Sequence, residues 1–367
     1  MTKDGQTLLF YINSLHRGGA QRVLVQLAGR FARAGWRAVL VTSYREADEY
    51  PVPEGVERVS MEDAQKPQNA LRRNLSRIRA LRRLCRQYQP AALISFMAEP
   101  NFRAVLAARG LGVKTIVSVR NAPEKEYFNR VFRFVGRHVL PLADGCVFQT
   151  EGAQAWFPEK LQRKSAVIMN QVDGAFFDRP ACKEPHDIAA VGRLTAQKNH
   201  ALLIRAYAAL GPVEDRLVIF GEGEMRAQLE ALIRELGLDG RVLLPGLSAD
   251  IPRDIGDKKL FVLSSDYEGM PNALLEAMAL GLPCIASDCP CGGPAELIDG
   301  GKNGLLFPVG DEAALTDALR ELLEDAGKRA ALARAARETA EGFRPEVIFE
   351  QWEHYVQSVI DGKERGA

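Results

Sequence analysis

Short apolar runs alternate with amphipathic stretches through residues 1–178, and the same pattern starts again near residue 186. Such alternation favours parallel sheets, because a parallel strand can be reached only through a crossover segment, usually a helix. In the first half, strands are predicted at residues 7–12, 38–43, 91–96, 114–119, 146–148 and 166–169, with helices at 21–34, 71–88 and 101–109. The second half predicts strands at 188–191, 217–220, 242–244, 260–263, 283–286 and 305–307, with helices at 226–236, 272–280 and 312–323. Residues 326–340 are alanine-rich with helical character. Asp178-Arg-Pro-Ala-Cys-Lys-Glu-Pro-His186 carries two prolines and suits a linker. The expected fold class is therefore α/β, with two doubly wound Rossmann-like parallel-sheet domains at 1–178 and 186–344, and 367 residues suffice for two cores. A last helix at 345–367 bears Trp352 and Tyr355 and docks either on the second domain or back on the first.

One carboxylate stands out. Glu276 lies in a predicted helix whose neighbours Ala273, Leu274, Leu275, Ala277, Met278, Ala279 and Leu280 leave almost no polar face, so it points into protein or into a cleft wall. Pro271 reads as the first helical residue and Gly281 as the stop. A buried carboxylate needs donors, and two kinds fit: an Arg or Lys in a structural ion pair, or the hydroxyls of a sugar. Glu268, eight positions earlier, falls in the loop that the helix N-terminus faces. A diphosphate at that N-terminus would place nucleotide-sugar hydroxyls near both carboxylates.

The tract Glu268-Gly-Met-Pro-Asn-Ala-Leu-Leu-Glu276-Ala-Met-Ala resembles the retaining glycosyltransferases of family 4, which have the GT-B fold. Val191-Gly-Arg193-Leu-Thr-Ala-Gln-Lys198-Asn-His200 resembles the family's basic diphosphate-gripping stretch, and Asn13-Ser-Leu-His-Arg-Gly18-Gly19-Ala-Gln-Arg22 its first glycine loop. The resemblance implies two domains facing across a cleft, with the C-terminal helix crossing back to the N-terminal domain. It implies catalytic roles for Glu268, Arg193 and Lys198, with Glu268 holding sugar hydroxyls and the two cations meeting the charge of the departing nucleoside diphosphate. Each close contact of that kind is worth roughly 4 kcal/mol before desolvation. Donor binding would fall to Gly18, Gly19, Gly269, Met270, Pro271 and Asn272, with Leu275, with Glu276 on the ribose, and with Leu247 near the base. The donor is expected to be a UDP-sugar, with no cofactor.

Val117-Ser-Val-Arg120-Asn121-Ala-Pro123, Ile94-Ser-Phe-Met97 and Asp288-Cys-Pro-Cys-Gly-Gly-Pro294 are similar to members that add N-acetylgalactosamine or related sugars to polyprenyl-diphosphate saccharides. Many family members carry a sugar-contacting histidine after a mid-domain strand; Arg120 and Asn121 stand there instead. In this reading Arg120, Asn121, His16 and Arg17 bind the acceptor. Structural alternatives are an ion pair for Arg120 and a solvent-facing loop for His16. Lipopolysaccharide core, capsule and small glycosides are other acceptors, and a non-catalytic sugar-nucleotide binder or scaffold subunit is the alternative of another class.

Charge and composition narrow the partners. Residues 1–178 hold 27 Lys and Arg against 16 Asp and Glu, whereas 179–367 hold 21 against 31. Much of the excess lies in residues 71–88, where Leu71, Leu75, Ile78, Leu81 and Leu84 share a face opposite the arginines. That helix either rests on an anionic membrane surface or packs on the core with a solvated cationic side. No recognition motif or aromatic platform accompanies the arginines, which argues against nucleic acid. No run is long enough to span a membrane, and the expected location is cytoplasmic, peripheral to the inner face of the cytoplasmic membrane. Asp-x-Asp is absent, and the six cysteines, Cys85, Cys146, Cys182, Cys284, Cys289 and Cys291, show no zinc spacing, so no metal is expected and the thiols are read as reduced. Gly221-Glu-Gly223 follows a strand but lacks the third glycine of a dinucleotide fingerprint and puts two carboxylates where a pyrophosphate would lie.

Overall fold

Strands covered by helices on both faces are apolar throughout, and Thr7–Ile12 (β1) is buried at every position. It is an interior strand of a seven-stranded, all-parallel sheet with Arg37–Thr42 (β2), Val56–Ser60 (β3), Ala92–Phe96 (β4), Lys114–Ser118 (β5), Gly145–Phe148 (β6) and Ser165–Val167 (β7). The order is β3-β2-β1-β4-β5-β6-β7. A second parallel sheet contains His186–Val191 (β8), Leu217–Phe220 (β9), Val242–Gly246 (β10), Lys258–Leu263 (β11), Cys284–Asp288 (β12) and Leu305–Pro308 (β13), ordered β10-β9-β8-β11-β12-β13. Each sheet reverses direction beside its first strand, between β1 and β4 and between β8 and β11. Ligands of doubly wound sheets bind outside the carboxyl ends of the strands at that reversal. The structure, a computed structural model, describes residues 5–61, 69–180, 182–290 and 292–362; Cys291 lies outside them.

The chain divides into two compact units, one running to Asn170 and resuming at Ile348, the other Gln171–Val347. The division falls before the proline-bearing stretch because Phe176 and Phe177 of the short Gly174–Phe177 helix are buried in the second unit. Val172 also donates its amide to the Phe343 carbonyl there (2.9 Å). Ile188, Ile219, Leu260, Val262 and Leu315 anchor the core of the second unit.

The Pro345–Ile360 helix packs on the first unit from Ile348 onward. Trp352 stacks on Phe96 (5.8 Å between ring centroids) and Phe349 meets Phe31 edge-on (5.1 Å). The Tyr355 hydroxyl accepts from the Cys146 amide (2.7 Å) and donates to the Lys164 carbonyl (2.6 Å), which ties β6 and the turn before β7 to this helix.

The basic helix, Ala70–Tyr88, is capped by Asn69, whose side chain accepts from the Arg72 amide (2.8 Å). Leu81 and Cys85 are buried, and Ile78 and Leu84 pack against the same core. Its first turns behave differently: Leu71 and Leu75 are exposed. The predicted apolar face therefore serves the core from Ile78 onward and solvent before it.

Candidate active site

In the second unit, β8 and β11 lie side by side at the reversal, and both loops that leave their carboxyl ends are bound to each other. Lys198 follows β8 in a one-turn helix, Ala196–Lys198, and its ammonium pairs with Glu268 in the loop after β11. The Lys198 stem runs over Gly192, which offers no Cβ in its path. The Ser265 hydroxyl donates to the same oxygen of Glu268, Oε1 (2.7 Å), and Oε2 is given to no described residue. Both side chains are largely buried, at 16% and 8% exposure.

Backbone ties hold the frame. Asp266 donates its amide to the Gln197 carbonyl (2.9 Å), the Gln197 side chain donates to the Tyr267 carbonyl (2.9 Å), Asn199 donates to Asp266 (2.8 Å), and the Ser264 hydroxyl donates to the Lys198 carbonyl (3.0 Å). Asn199 is left-handed (φ 44°) and accepts from the Leu202 amide, capping the His200–Ala209 helix. None of Gln197, Asn199, Ser264, Ser265 and Asp266 was singled out by sequence reasoning. The N-cap asparagine before an apolar run was the one available signal.

Arg193 is exposed, and its guanidinium makes no hydrogen bond or ion pair with another described residue. An unpaired cation thus stands beside a paired one at the mouth of the reversal. His200, just below, is buried, with neither ring nitrogen in good hydrogen-bond geometry to another described residue, and burial pulls its imidazole down to about 4, so it is neutral at pH 7.

The loop after β12 backs this frame. A Cβ on Gly293 would fall 1.8 Å from the Gly269 carbonyl oxygen, so the Glu268–Pro271 turn rests directly on backbone. Cys289 is buried there, and its thiol is pushed up to about 11, by burial first and by Glu268 second. Gly221 and Gly223 have a structural explanation: Cβ atoms there would lie 1.9 Å from the Gly192 carbonyl and 2.3 Å from that of Leu194. They let the β9 loop press on the loop that carries Arg193 and Lys198.

The helix after Glu268 is Asn272–Ala279, with Pro271 at the cap rather than as its first residue. Pro271 accepts the Leu274 and Leu275 amides through its carbonyl and gives the helix no side-chain cap. Met270 is buried, Asn272 is half-buried, and Leu275 is fully buried with its amide already committed. Glu276 is 7% exposed and partnered within the protein. Leu247, after β10, is 78% exposed.

In the first unit, Gly18 caps the Gly19–Arg33 helix and Gly19 opens it. His16 and Arg17 are exposed and held by acids of the β2 loop, Glu46 (3.3 Å) and Asp48 (2.8 Å). Beneath them lies a residue that the sequence did not mark: Arg103 is fully buried and donates to Asn13 (2.7 Å), Asn74 (2.7 Å) and Glu99 (2.5 Å). It joins the loops of β1 and β4 at this unit's own reversal.

Arg120 follows β5, donates to Asn170 after β7, and lies over the Phe96 ring (4.4 Å). Burial lowers its guanidinium to about 9, still charged at pH 7. Glu126 accepts the Ala98 amide on Oε1 (2.6 Å), its Oε2 is buried with no partner among the described residues, and burial pushes its carboxyl up to about 7. The Asn121 side chain accepts the Ala122 amide (2.9 Å). Among the described residues, no group of three or more His, Cys, Asp or Glu is placed to hold a metal ion, and no helix is long and apolar enough to cross a membrane.

Residues 174–339 match the family described as glycosyl transferases group 1, and residues 18–170 match the glycosyl transferase 4-like domain. Over 356 residues the chain is 30% identical to the Campylobacter jejuni N-acetylgalactosamine-N,N'-diacetylbacillosaminyl-diphospho-undecaprenol 4-alpha-N-acetylgalactosaminyltransferase, covering 92% of this chain and 96% of that one. Its fold matches a sucrose-phosphate synthase from Thermosynechococcus elongatus with a TM-score of 0.83 at 20% identity, covering 98% and 100% of the two chains. It matches Anabaena HepE in complex with UDP at 0.81 and 20% identity, covering 96% and 100%. The shared architecture is GT-B.

Proposed function

We propose, from the premise that the chain belongs to the group 1 glycosyltransferases, that it moves an N-acetylhexosamine or hexose from a UDP-sugar to a lipid-linked saccharide, with retention and without a metal ion. N-acetylgalactosamine is the first choice of sugar and a polyprenyl diphosphate the first choice of lipid carrier, since the relative from Campylobacter is named for that chemistry. The observation that carries the reading is the Lys198–Glu268 pair at the sheet reversal with unpartnered Arg193 beside it.

In the proposed reaction the bond from the anomeric carbon to the diphosphate oxygen breaks while the acceptor hydroxyl bonds to the same face of that carbon. The hydroxyl proton passes to the departing phosphate. Arg193 and Lys198 meet the charge that grows on that phosphate, which is the charge a transition-state-selective site must stabilise. Glu268 is held by Lys198 and Ser265 through one oxygen, and its other oxygen accepts a sugar hydroxyl. Glu276 binds the ribose, Gly269, Met270, Pro271 and Asn272 shape the diphosphate turn, and Leu247 flanks the base. Gly18 and Gly19 complete the donor contacts, and Arg120, Asn121, His16 and Arg17 serve the acceptor. With a lipid-linked acceptor, the basic first unit works at the inner face of the cytoplasmic membrane.

The test is nucleoside diphosphate release from a panel of UDP- and GDP-sugars, with EDTA present, for wild type and Glu268→Ala. Donor-selective release that the substitution abolishes supports the reading. Saturable donor binding without turnover on any acceptor favours a sugar-nucleotide-binding subunit, and release that stops with EDTA sinks the metal-free mechanism.

A further inference from the structure

The segment Tyr127 to Leu142, YFNRVFRFVGRHVLPL, contains three arginines and no acidic residue. It is helical from Arg130 onward, first as an α-turn, Arg130–Phe134, then as a wider π-turn, Val135–Val139. Its inward side is accounted for: Val135 and Leu140 are buried, and Phe132 and Val139 pack on the core formed by Tyr127, Phe148 and Phe157. Its outward side is also apolar. Phe128 is 63% exposed, Val131 70% and Phe134 59%, three large side chains at a spacing of three, with the exposed His138 ring against Phe134 at 4.7 Å. Arg130, Arg133 and Arg137 are exposed as well and fall on the adjoining arc of the same turns.

A core helix has one apolar stripe and one solvated face. This one carries a second pair of apolar side chains, Val131 and Phe134, on its exposed side, with Phe128 just before its cap, and the exposed charges of the segment itself are all cationic. Large exposed apolar side chains that adjoin an all-cationic arc match what a helix needs to lie in a bilayer interface, with rings among the acyl chains and guanidinium groups at anionic headgroups. A second copy of the chain fits worse, because stacking two such faces brings arginines against arginines. We infer that Phe128, Val131 and Phe134, bordered by Arg130, Arg133 and Arg137, form the surface by which the first unit docks on an anionic lipid bilayer. The inference rests on the lipid-linked acceptor proposed above and names the surface through which that acceptor is reached.

The test is flotation of the full chain with vesicles of phosphatidylcholine alone and of phosphatidylcholine with phosphatidylglycerol. Expected are binding to the anionic vesicles that weakens with salt, and a loss of about tenfold or more in Phe128→Ser/Val131→Ser/Phe134→Ser and in Arg130→Gln/Arg133→Gln/Arg137→Gln. The substituted side chains are exposed, so UDP-sugar binding in both variants should equal that of wild type. Leu71→Ser/Leu75→Ser, on the basic helix, should retain vesicle binding. The inference is overturned if the patch variants bind as wild type does, if Leu71→Ser/Leu75→Ser loses binding in their place, or if the apolar variant changes the oligomeric mass instead. Patch-dependent vesicle binding with no transfer to any lipid-linked saccharide would uphold the surface and remove the acceptor reading. Transfer in detergent with patch-independent vesicle binding would do the reverse.

Discussion

At Glu268 two donors share one oxygen, which leaves the carboxylate anchored and still able to accept. Removing Lys198 takes away the anchor and, in the proposed reaction, a cation at the leaving group. Lys198→Met should lower kcat by about 10²–10³-fold, with a smaller change in donor KM, in a coupled UDP-release assay. Glu126 gives a prediction about pH. Its folded pKa of about 7 lies above the ordinary 4.5, so the stability it contributes is complete below about 4.5 and is lost as pH rises through 7. Glu126→Gln should therefore be more stable than wild type at pH 8, by on the order of 2 kcal/mol after allowance for solvent, with the gap closing toward pH 5 in denaturant titrations. Residue types at the site were readable because Glu268, Arg193 and Lys198 stand in motifs. Their pairing was not, since Lys198 and Glu268 are 70 positions apart and Arg193, equally basic, takes no partner among the described residues. Buried Arg103 was unreadable for a related reason: its partners Asn13 and Asn74 come from other loops and helices.

Among elements, the turn that carries Glu268 depends on a neighbour with no side chain. Gly293→Ala would drive its Cβ into the Gly269 carbonyl, and backbone cannot yield as a flexible side chain can. The variant should fold with a lowered midpoint, by about 1–3 kcal/mol, and lose donor affinity disproportionately in a UDP titration. Among the described residues, twelve of the thirteen strands were legible from apolar runs; β3 was not. Val56-Glu-Arg-Val-Ser60 is an edge strand with no fully buried position, and two charges interrupt its apolar run: Glu57 is exposed, while Arg58 turns inward to pair with Glu49 (3.1 Å). The His200–Ala209 helix escaped for the opposite reason. Leu202, Leu203, Ile204, Ala206 and Tyr207 are all buried, so apolar residues surround it and the helical period is faint.

Over the whole molecule, the first unit is built from two distant pieces of chain and the second from one. Ending the chain at Val347 would strip the cover from Phe96 and Phe31 and remove the hydroxyl that serves the Cys146 amide. Burial of Trp352 alone is worth about 3–5 kcal/mol. Such a truncation should leave the first unit open to limited proteolysis while Gln171–Val347 stays resistant and still binds UDP. The same division sets an order of events during synthesis. The ribosome delivers the seven-stranded sheet first, yet the helix that covers Phe96 emerges only after all of Gln171–Val347 has been made, on the order of ten seconds or more later. The later-born unit can therefore finish folding first. Until the final helix arrives, the older one must wait with Phe31 and Phe96 uncovered, and that interval is when a chaperone would find it.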